Sequence, residues 1–183
     1  QRDLAGCEIR GVRGIFNSTS NSILEAMGLG GSYAQALKQA QADGIAEADP
    51  SLDVEGWDTA NKLVIIANSV LGVPTTLQDV RPVTGITGIA PEQIVQGAAE
   101  GKAVKLVATA EKVAGGFRFF VQPEWLPKDD FLANVSGWEM GIIFDTDIMG
   151  LQQFKVDERG PIPTAAAMLR DVINLSRSSH SPF

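Results

Sequence analysis

The segment DGIAEADPSLDVEGWDTANK, residues 43–62, concentrates carboxylates and ends in a single amine. Its acids are Asp43, Glu47, Asp49, Asp53, Glu55 and Asp58. Lys62 is the base, and the apolar run LVIIANSVLG follows it directly. A solvated acidic loop in front of a core helix would explain this composition. A pocket would explain it equally, if its carboxylates held a small cationic ligand while Lys62 exchanged a proton.

Asp58 and Lys62 stand four residues apart in a segment with a helical pattern, so their side chains lie on one helix face. Asn61, Asn68 and Ser69 extend this face into a polar stripe, whereas most other positions are apolar. As an exposed ion pair, Asp58 and Lys62 would contribute little to stability. In a cleft, Asp58 would orient Lys62 for proton exchange with a substrate oxygen. The pattern alone leaves both interpretations open.

Glu47 and Asp53 lie in a loop that contains Pro50, and a loop could direct both carboxylates toward one ammonium group. The D-x-[DN]-x-[DN]-G spacing of a calcium loop is absent. The glycines GLGG at 28–31 follow a predicted helix and lack the G-x-G-x-x-G spacing, so they do not indicate a dinucleotide loop. A Ser-His-Asp triad would require His180, which lies in a polar tail, so we do not expect one.

Composition and charge limit the class of protein. The chain has 183 residues, 44% of them hydrophobic, which suits one domain with a core of its own. Its 22 acids and 15 Lys and Arg residues give a net charge of −7, which argues against nucleic-acid or anionic-membrane partners. The longest apolar run, 63–73, is too short to span a bilayer. One Cys and one His provide neither an internal disulfide nor a zinc-ligand set, so we expect no metal site and a cytoplasmic location.

Hydrophobic periodicity predicts mostly helices in the first half, after an initial strand, and mostly strands in the second half, before a final helix. Strands are expected at 8–16, 103–113, 117–122, 137–144 and 151–156. Helices are expected from the cap cluster at 17–20 to the glycines at 28–31, and then at 33–42, 57–71, 92–99 and 164–175. The stretch 74–89 is predicted to be mostly loop.

This order of elements indicates an α+β fold with a mixed, largely antiparallel sheet and helices on one face. We expect residues 1–175 to form one domain and 176–183 to form a flexible C-terminal tail. The other sheet face should be available for a second subunit or a partner domain. The apolar residues expected on that open face are Phe117, Phe119, Val121, Ile142 and Phe144.

Several motifs, taken in order, resemble the substrate-binding region of homoserine dehydrogenases. GIFNSTSNSIL at 14–24 is similar to the family's G-I-x-N-G-T-x-N-x-I-L. GIAEADPSLDVEGWDTANKLVIIA at 44–67 resembles G-Y-A-E-x-D-P-x-x-D-x-x-G-x-D-A-A-x-K. The resemblance continues weakly through EGKAVKLVATA (100–110) and VQPEWLP (121–127), and PTAAAMLRD (163–171) is similar to P-T-A-x-A-x-x-x-D. Nearly the whole chain is covered.

This resemblance implies NAD(P)-dependent interconversion of L-aspartate 4-semialdehyde and L-homoserine. It implies that Lys62 is the catalytic lysine that handles the proton at the substrate oxygen, with Asp58 beside it. Glu47 is implied to hold the substrate's amino group. The substrate-binding residues implied by the resemblance are Glu47, Asp53, Ser18 and Thr19. Ser18 replaces the family's usual Gly, Ile45 replaces Tyr, and DERGPI precedes PTA in place of a Gly-rich turn.

The resemblance also implies a domain similar to the C-terminal domain of glyceraldehyde-3-phosphate dehydrogenase, joined into a homodimer through its sheet. NAD or NADP would be bound mainly by an N-terminal Rossmann domain that this sequence lacks, so we expect no cofactor-binding residues here and no turnover by this chain alone. The implied pathway is threonine and methionine biosynthesis from aspartate. The alternative is a non-catalytic small-amino-acid-binding or dimerisation module derived from that family.

Overall fold

The computed structural model describes residues 4, 6–157, 159–160 and 162–178. Its strands are β1 (Ile9–Ile15), β2 (Val80–Val83), β3 (Lys102–Val113), β4 (Gly116–Pro127), β5 (Glu139–Thr146) and β6 (Gly150–Asp157). Its helices are α1 (Ser18–Gly28), α2 (Tyr33–Ala42), α3 (Ser51–Val54), α4 (Trp57–Ile66), α5 (Pro91–Ala99) and α6 (Ile162–Ser178). Over this part of the chain, the helices are too short or too polar to cross a membrane.

The strands form one sheet in the order β2-β4-β3-β1-β5-β6. Four of the five pairings are antiparallel, and β2 with β4 is parallel. Apolar residues of α1, α2, α4 and α5 share one buried cluster with side chains from one face of this sheet. The predicted α+β fold, with a mixed and largely antiparallel sheet, is therefore confirmed.

The five apolar residues that were expected on the open sheet face lie on the face that the helices cover. Phe119, Val121 and Phe144 are buried in the cluster beneath the helices, and Phe117 and Ile142 pack against it. Side chains alternate along a strand, so assigning a strand to the wrong phase moves its whole apolar set to the other face. The prediction for these five residues was wrong in this respect.

The open face combines a second, smaller apolar cluster, which includes Ile15, Val107 and Ile143, with a charged group around Arg13. Arg13 pairs in register with Thr109 on one neighbouring strand and with Ile143 on the other. The Arg13 guanidinium contacts Glu124 at 2.7 Å and Asp130 at 3.2 Å. Burial opposes the charge of Arg13, but these two carboxylates outweigh it and raise the pKa of the guanidinium.

Local signals located most elements. Ser32 caps α2, which has the predicted bounds, while α4 ends at Ile66 and continues as a π-helical turn, Ala67–Leu71. The short helix α3 and the strand β2 were not predicted. β2 contains Pro82 and lies at the sheet edge, where a strand tolerates Pro because its outer side needs no ladder hydrogen bond.

The final helix is longer than predicted, since α6 runs from Ile162 to Ser178. Residues 176–178 of α6 therefore lie in the segment that was expected to be a flexible tail. Residues 179–183, including His180, lie outside the described residues.

A buried amine on β3 ties the sheet to α1. The Nζ atom of Lys105 donates to the Val135 carbonyl at 2.6 Å, to Asn21 Oδ1 at 2.8 Å and to Glu25 at 3.3 Å. The other Glu25 oxygen accepts the Gly137 N–H at 2.9 Å. Burial lowers the pKa of Lys105, and attraction to Glu25 offsets part of this effect. The network fixes α1 against the sheet.

Gly85 offers a test of how closely its loop packs on α3. The Ile86 N–H donates to the Val54 carbonyl at 2.8 Å, and a Cβ on Gly85 would overlap backbone atoms of Val54 and Glu55. We expect Gly85→Ala to lower the free energy of unfolding by about 1–3 kcal/mol in urea titrations. Gly88→Ala is the control, because its Cβ would meet nothing within 4 Å. Equal effects of the two substitutions would contradict this packing.

Lys105→Met should lower the free energy of unfolding by about 2–3 kcal/mol at neutral pH, because it leaves buried oxygens of Asn21 and Val135 without a donor. The folded-state pKa of Lys105 lies below the ordinary value of 10.5. Between these two values the unfolded chain binds more protons, so this amine adds stability to the wild type as pH rises. Urea unfolding at several alkaline pH values should show that the difference in free energy of unfolding between wild type and variant grows as pH rises. A difference that shrinks as pH rises would contradict the lowered pKa of Lys105.

Candidate functional site

Lys62 and Asp58 lie on one partly exposed face of α4, beside the junction of β1 and α1. The Lys62 Nζ atom is 2.8 Å from Asp58 Oδ2 and 2.7 Å from the Phe16 carbonyl oxygen. The Lys62 side chain remains 42% exposed. An ammonium group has three N–H donors, so one donor direction is left for another oxygen. The predicted i,i+4 pair therefore forms, with a backbone carbonyl as an additional partner.

Asn17 brings the carboxylates of α3 and α4 together. Its Nδ2 atom lies 2.7 Å from Asp53 Oδ1 and 2.8 Å from Asp58 Oδ2. Its Oδ1 atom accepts the Ser20 N–H at 2.8 Å and caps α1. The residue is 6% exposed. From the sequence, Asn17 was expected only to belong to a cap cluster, although it matches the first Asn of the G-I-x-N-G-T motif.

A left-handed glycine makes this convergence possible. Gly56 joins α3 to α4 with φ at +88°, a conformation that costs little only for glycine. The sharp turn lets Asp53 at the end of one helix and Asp58 at the start of the next face the same amide. A Cβ at Gly56 would in addition be 3.4 Å from Val83 and Val121.

Ser18, Thr19 and Ser20 form the first turn of α1. Ser18 is partly exposed beside Asn17. Thr19 is buried and its hydroxyl donates to the Ile45 carbonyl at 3.0 Å, while the Ser20 hydroxyl donates to the Asp53 carbonyl at 2.8 Å. These hydroxyls therefore fasten the acidic segment to α1.

Among the residues that the structure describes, no hydrogen bond joins Glu47 to the other predicted site residues. It is exposed, and its carbonyl oxygen accepts from Gln41 Nε2 at 3.1 Å. Within the described part of the chain, its carboxylate makes no hydrogen bond or ion pair. Asp49 has a local role, because hydrogen bonds from the Ser51 hydroxyl and N–H lower its pKa at the start of α3.

Within the described residues, the glycines at 28–31 do not form a dinucleotide loop, and the acidic side chains do not form a metal-ligand cluster. The glycines at 28–31 connect α1 to α2, so they follow a helix, whereas a dinucleotide loop follows a strand. Over the residues that the structure describes, no three His, Cys, Asp or Glu side chains form a set that could ligate a metal. Asp53, Asp58 and Lys62 together have an excess negative charge, which suits a ligand that carries an ammonium group.

Comparison with known proteins identifies the family. Residues 1–173 match the homoserine dehydrogenase family model. The chain belongs to the homoserine dehydrogenase family. A homoserine dehydrogenase of Methanocaldococcus jannaschii is 41% identical over 177 residues, which cover 96% of this chain and 51% of the relative. An NAD(+)-dependent homoserine dehydrogenase of Pseudomonas canavaninivorans is 37% identical, covering 96% and 50%.

Solved homoserine dehydrogenases share the fold. The enzyme from Thiobacillus denitrificans matches with a TM-score of 0.90 and 32% identity, over 96% of this chain and 41% of that chain. The family resemblance and the fold class inferred from the sequence are thus confirmed. The chain spans about half the length of the curated relatives it matches. The roles of its individual site residues remain predictions.

Two Thr→Val substitutions test whether Thr19 anchors the acidic segment. Thr19→Val removes the donor to the Ile45 carbonyl and should cost about 1–2 kcal/mol. Hydrogen exchange measured by mass spectrometry should become faster at residues 43–49. Thr59→Val is the matched control, because the buried Thr59 hydroxyl has no hydrogen-bond partner in the described structure and its loss should be neutral or stabilising. Unchanged exchange at 43–49 in Thr19→Val would rule out the anchor.

Proposed function

We propose that this chain is the substrate-binding and catalytic domain of an NAD(P)-dependent homoserine dehydrogenase, which interconverts L-aspartate 4-semialdehyde and L-homoserine. The observation that carries the proposal is the placement of Lys62. Its amine is fixed by Asp58 and the Phe16 carbonyl and keeps one donor direction open at the surface. Family membership and this geometry support the same chemistry.

Lys62 is the proposed proton donor and acceptor. Oxidation of an alcohol to an aldehyde releases a hydride from carbon and a proton from the hydroxyl group, and reduction of the aldehyde requires both in reverse. Lys62 would exchange that proton with the substrate oxygen as a general acid or base. Asp58 would hold the amine in position and compensate its charge.

The substrate's ammonium group is proposed to lie on the acidic side of the site. Asp53 offers its second carboxylate oxygen, since Oδ1 is engaged by Asn17. Glu47 would reach the ligand from the loop that Thr19 attaches to α1, and its exposed position leaves it able to move. Ser18 and Thr19 would border the substrate from the first turn of α1.

NAD or NADP supplies the hydride acceptor and donor when bound. The described residues lack a strand-to-helix glycine loop, so we propose that a Rossmann domain in the remaining half of the enzyme binds most of the dinucleotide. One relative is named as NAD(+)-dependent. For this chain the proposal includes both NAD and NADP. The proposed contribution of this chain is the substrate and its proton.

The surfaces away from Lys62 support the proposed assembly. The open sheet face has a concavity of about 820 Å³ that includes Arg13, Asp130 and Leu151, and we propose a homodimer through this face. On α6, apolar side chains such as Leu169 and Val172 are exposed, which suits packing against the rest of the enzyme. Threonine and methionine biosynthesis in the cytoplasm is the proposed setting.

Lys62→Ala in the full-length enzyme should lower kcat by about 10²-fold or more, because the proton transfer loses its donor and acceptor. Circular dichroism and melting temperature should change little, since an exposed pair contributes little to stability. Lys102→Ala is the control: Lys102 also pairs with a carboxylate, at 3.0 Å, and is 43% exposed. A normal kcat in Lys62→Ala would exclude the assigned role.

Calorimetry with homoserine, together with an assay of hydride transfer, distinguishes the enzyme from the alternative, a non-catalytic binding module. A full-length protein that binds homoserine but does not transfer hydride to NAD or NADP would identify an amino-acid-binding module. Turnover of homoserine with either cofactor would identify the enzyme.

A further inference from the structure

One amide group is shared between two carboxylates at the candidate site. The NH₂ group of Asn17 has two N–H donors, and the two oxygens within 2.8 Å of it belong to Asp53 and Asp58. The orientation of the amide is determined by its other end, because Oδ1 accepts the Ser20 N–H. A flipped amide would place an oxygen against both carboxylates and lose the helix cap. Nδ2 must therefore face the acids.

The same residue reaches Lys62 by two routes. Asp58 Oδ2, which accepts from Asn17, also accepts from Lys62 Nζ at 2.8 Å. The carbonyl oxygen of Phe16, the other acceptor for Lys62, belongs to the peptide bond that leads into Asn17. Burial of Asn17 fixes both routes, since the residue is 6% exposed. A change in its side chain is thus transmitted to the amine through Asp58.

Helix capping alone does not require this residue. An N-cap needs one side-chain oxygen, and Ser, Thr, Asp and Asn cap helices comparably well. The Asn17 cap uses Oδ1 only, so the two N–H contacts are additional to it. Among these cap residues only Asn provides an NH₂ group, which can neutralise repulsion between two facing acids.

We propose that Asn17 is a positioning residue for the Lys62–Asp58 pair. It does not touch the substrate; it sets the orientation of Asp58 and, through it, the location of the Lys62 amine. This inference rests on the proposed function and adds a residue to it. Loss of the amide would let Asp58 and Asp53 move apart and leave Lys62 less well placed for proton transfer.

Asn17→Ser in the full-length enzyme is the principal test, because Ser keeps the cap and removes the NH₂ group. We expect kcat for homoserine to fall about 10- to 100-fold, while KM for the nicotinamide cofactor changes little and circular dichroism shows the wild-type fold. Asn17→Asp also keeps the cap but adds a third carboxylate, so its kcat should fall further. Ser32→Ala removes the cap of α2 and should leave kcat unchanged.

A double-mutant cycle tests whether Asn17 acts through Asp58. In an Asp58→Asn background, Asn17→Ser should change kcat/KM by less than about threefold, because the residue through which it acts is already altered. Full additivity of the two substitutions would overturn the positioning role. An equal loss of kcat in Ser32→Ala would also overturn it, by showing that helix capping explains the effect.

The outcomes also separate this inference from the proposed function. A wild-type enzyme that does not oxidise homoserine would overturn both. An active wild type whose kcat is unaffected by Asn17→Ser would overturn the positioning role alone and leave the proposed function standing.

Discussion

Two carboxylates that face the same point repel each other, and their approach requires a donor between them. In this chain the donor is the Asn17 amide, whose Nδ2 atom donates to Asp53 of α3 and to Asp58 of α4. Lys62 then compensates the charge of Asp58. The site depends on this convergence of the α1 cap, the short helix α3 and the first turn of α4.

The surrounding fold holds these three elements together by close backbone packing. Gly56 provides the turn between α3 and α4, and Gly85 allows the loop before α5 to lie directly on α3. α1 is fixed from its other side by the buried Lys105, whose partners belong to α1 and to the segment before β5. Rigid support of this kind suits a site whose acid and base must keep their spacing without a bound ligand.

The sequence revealed what depends on neighbours along the chain and missed what depends on tertiary approach. The i,i+4 pair of Asp58 and Lys62 and the Ser32 cap of α2 follow from helix geometry, and both were found. Asn17 meets residues 36 and 41 positions away, so no local pattern could assign its amide to them. The face assigned to β4 was wrong for a related reason. Alternation shows that 117, 119 and 121 share a face, but only packing shows which face the helices cover.

The exposure of Lys62 bears on how the proposed chemistry would be completed. Charges in contact with water interact weakly, whereas a proton transfer at an alkoxide gains from a dry, low-dielectric site. Lys62 is partly open to solvent, and Glu47 makes no described contact with the rest of the site. The described residues therefore place Lys62 and Asp58 on one wall of the proposed site. If the proposed dinucleotide domain forms the opposing wall, binding of substrate and cofactor would exclude water from Lys62 and bring Glu47 to the ammonium group, so proton transfer would be efficient only when both ligands are present.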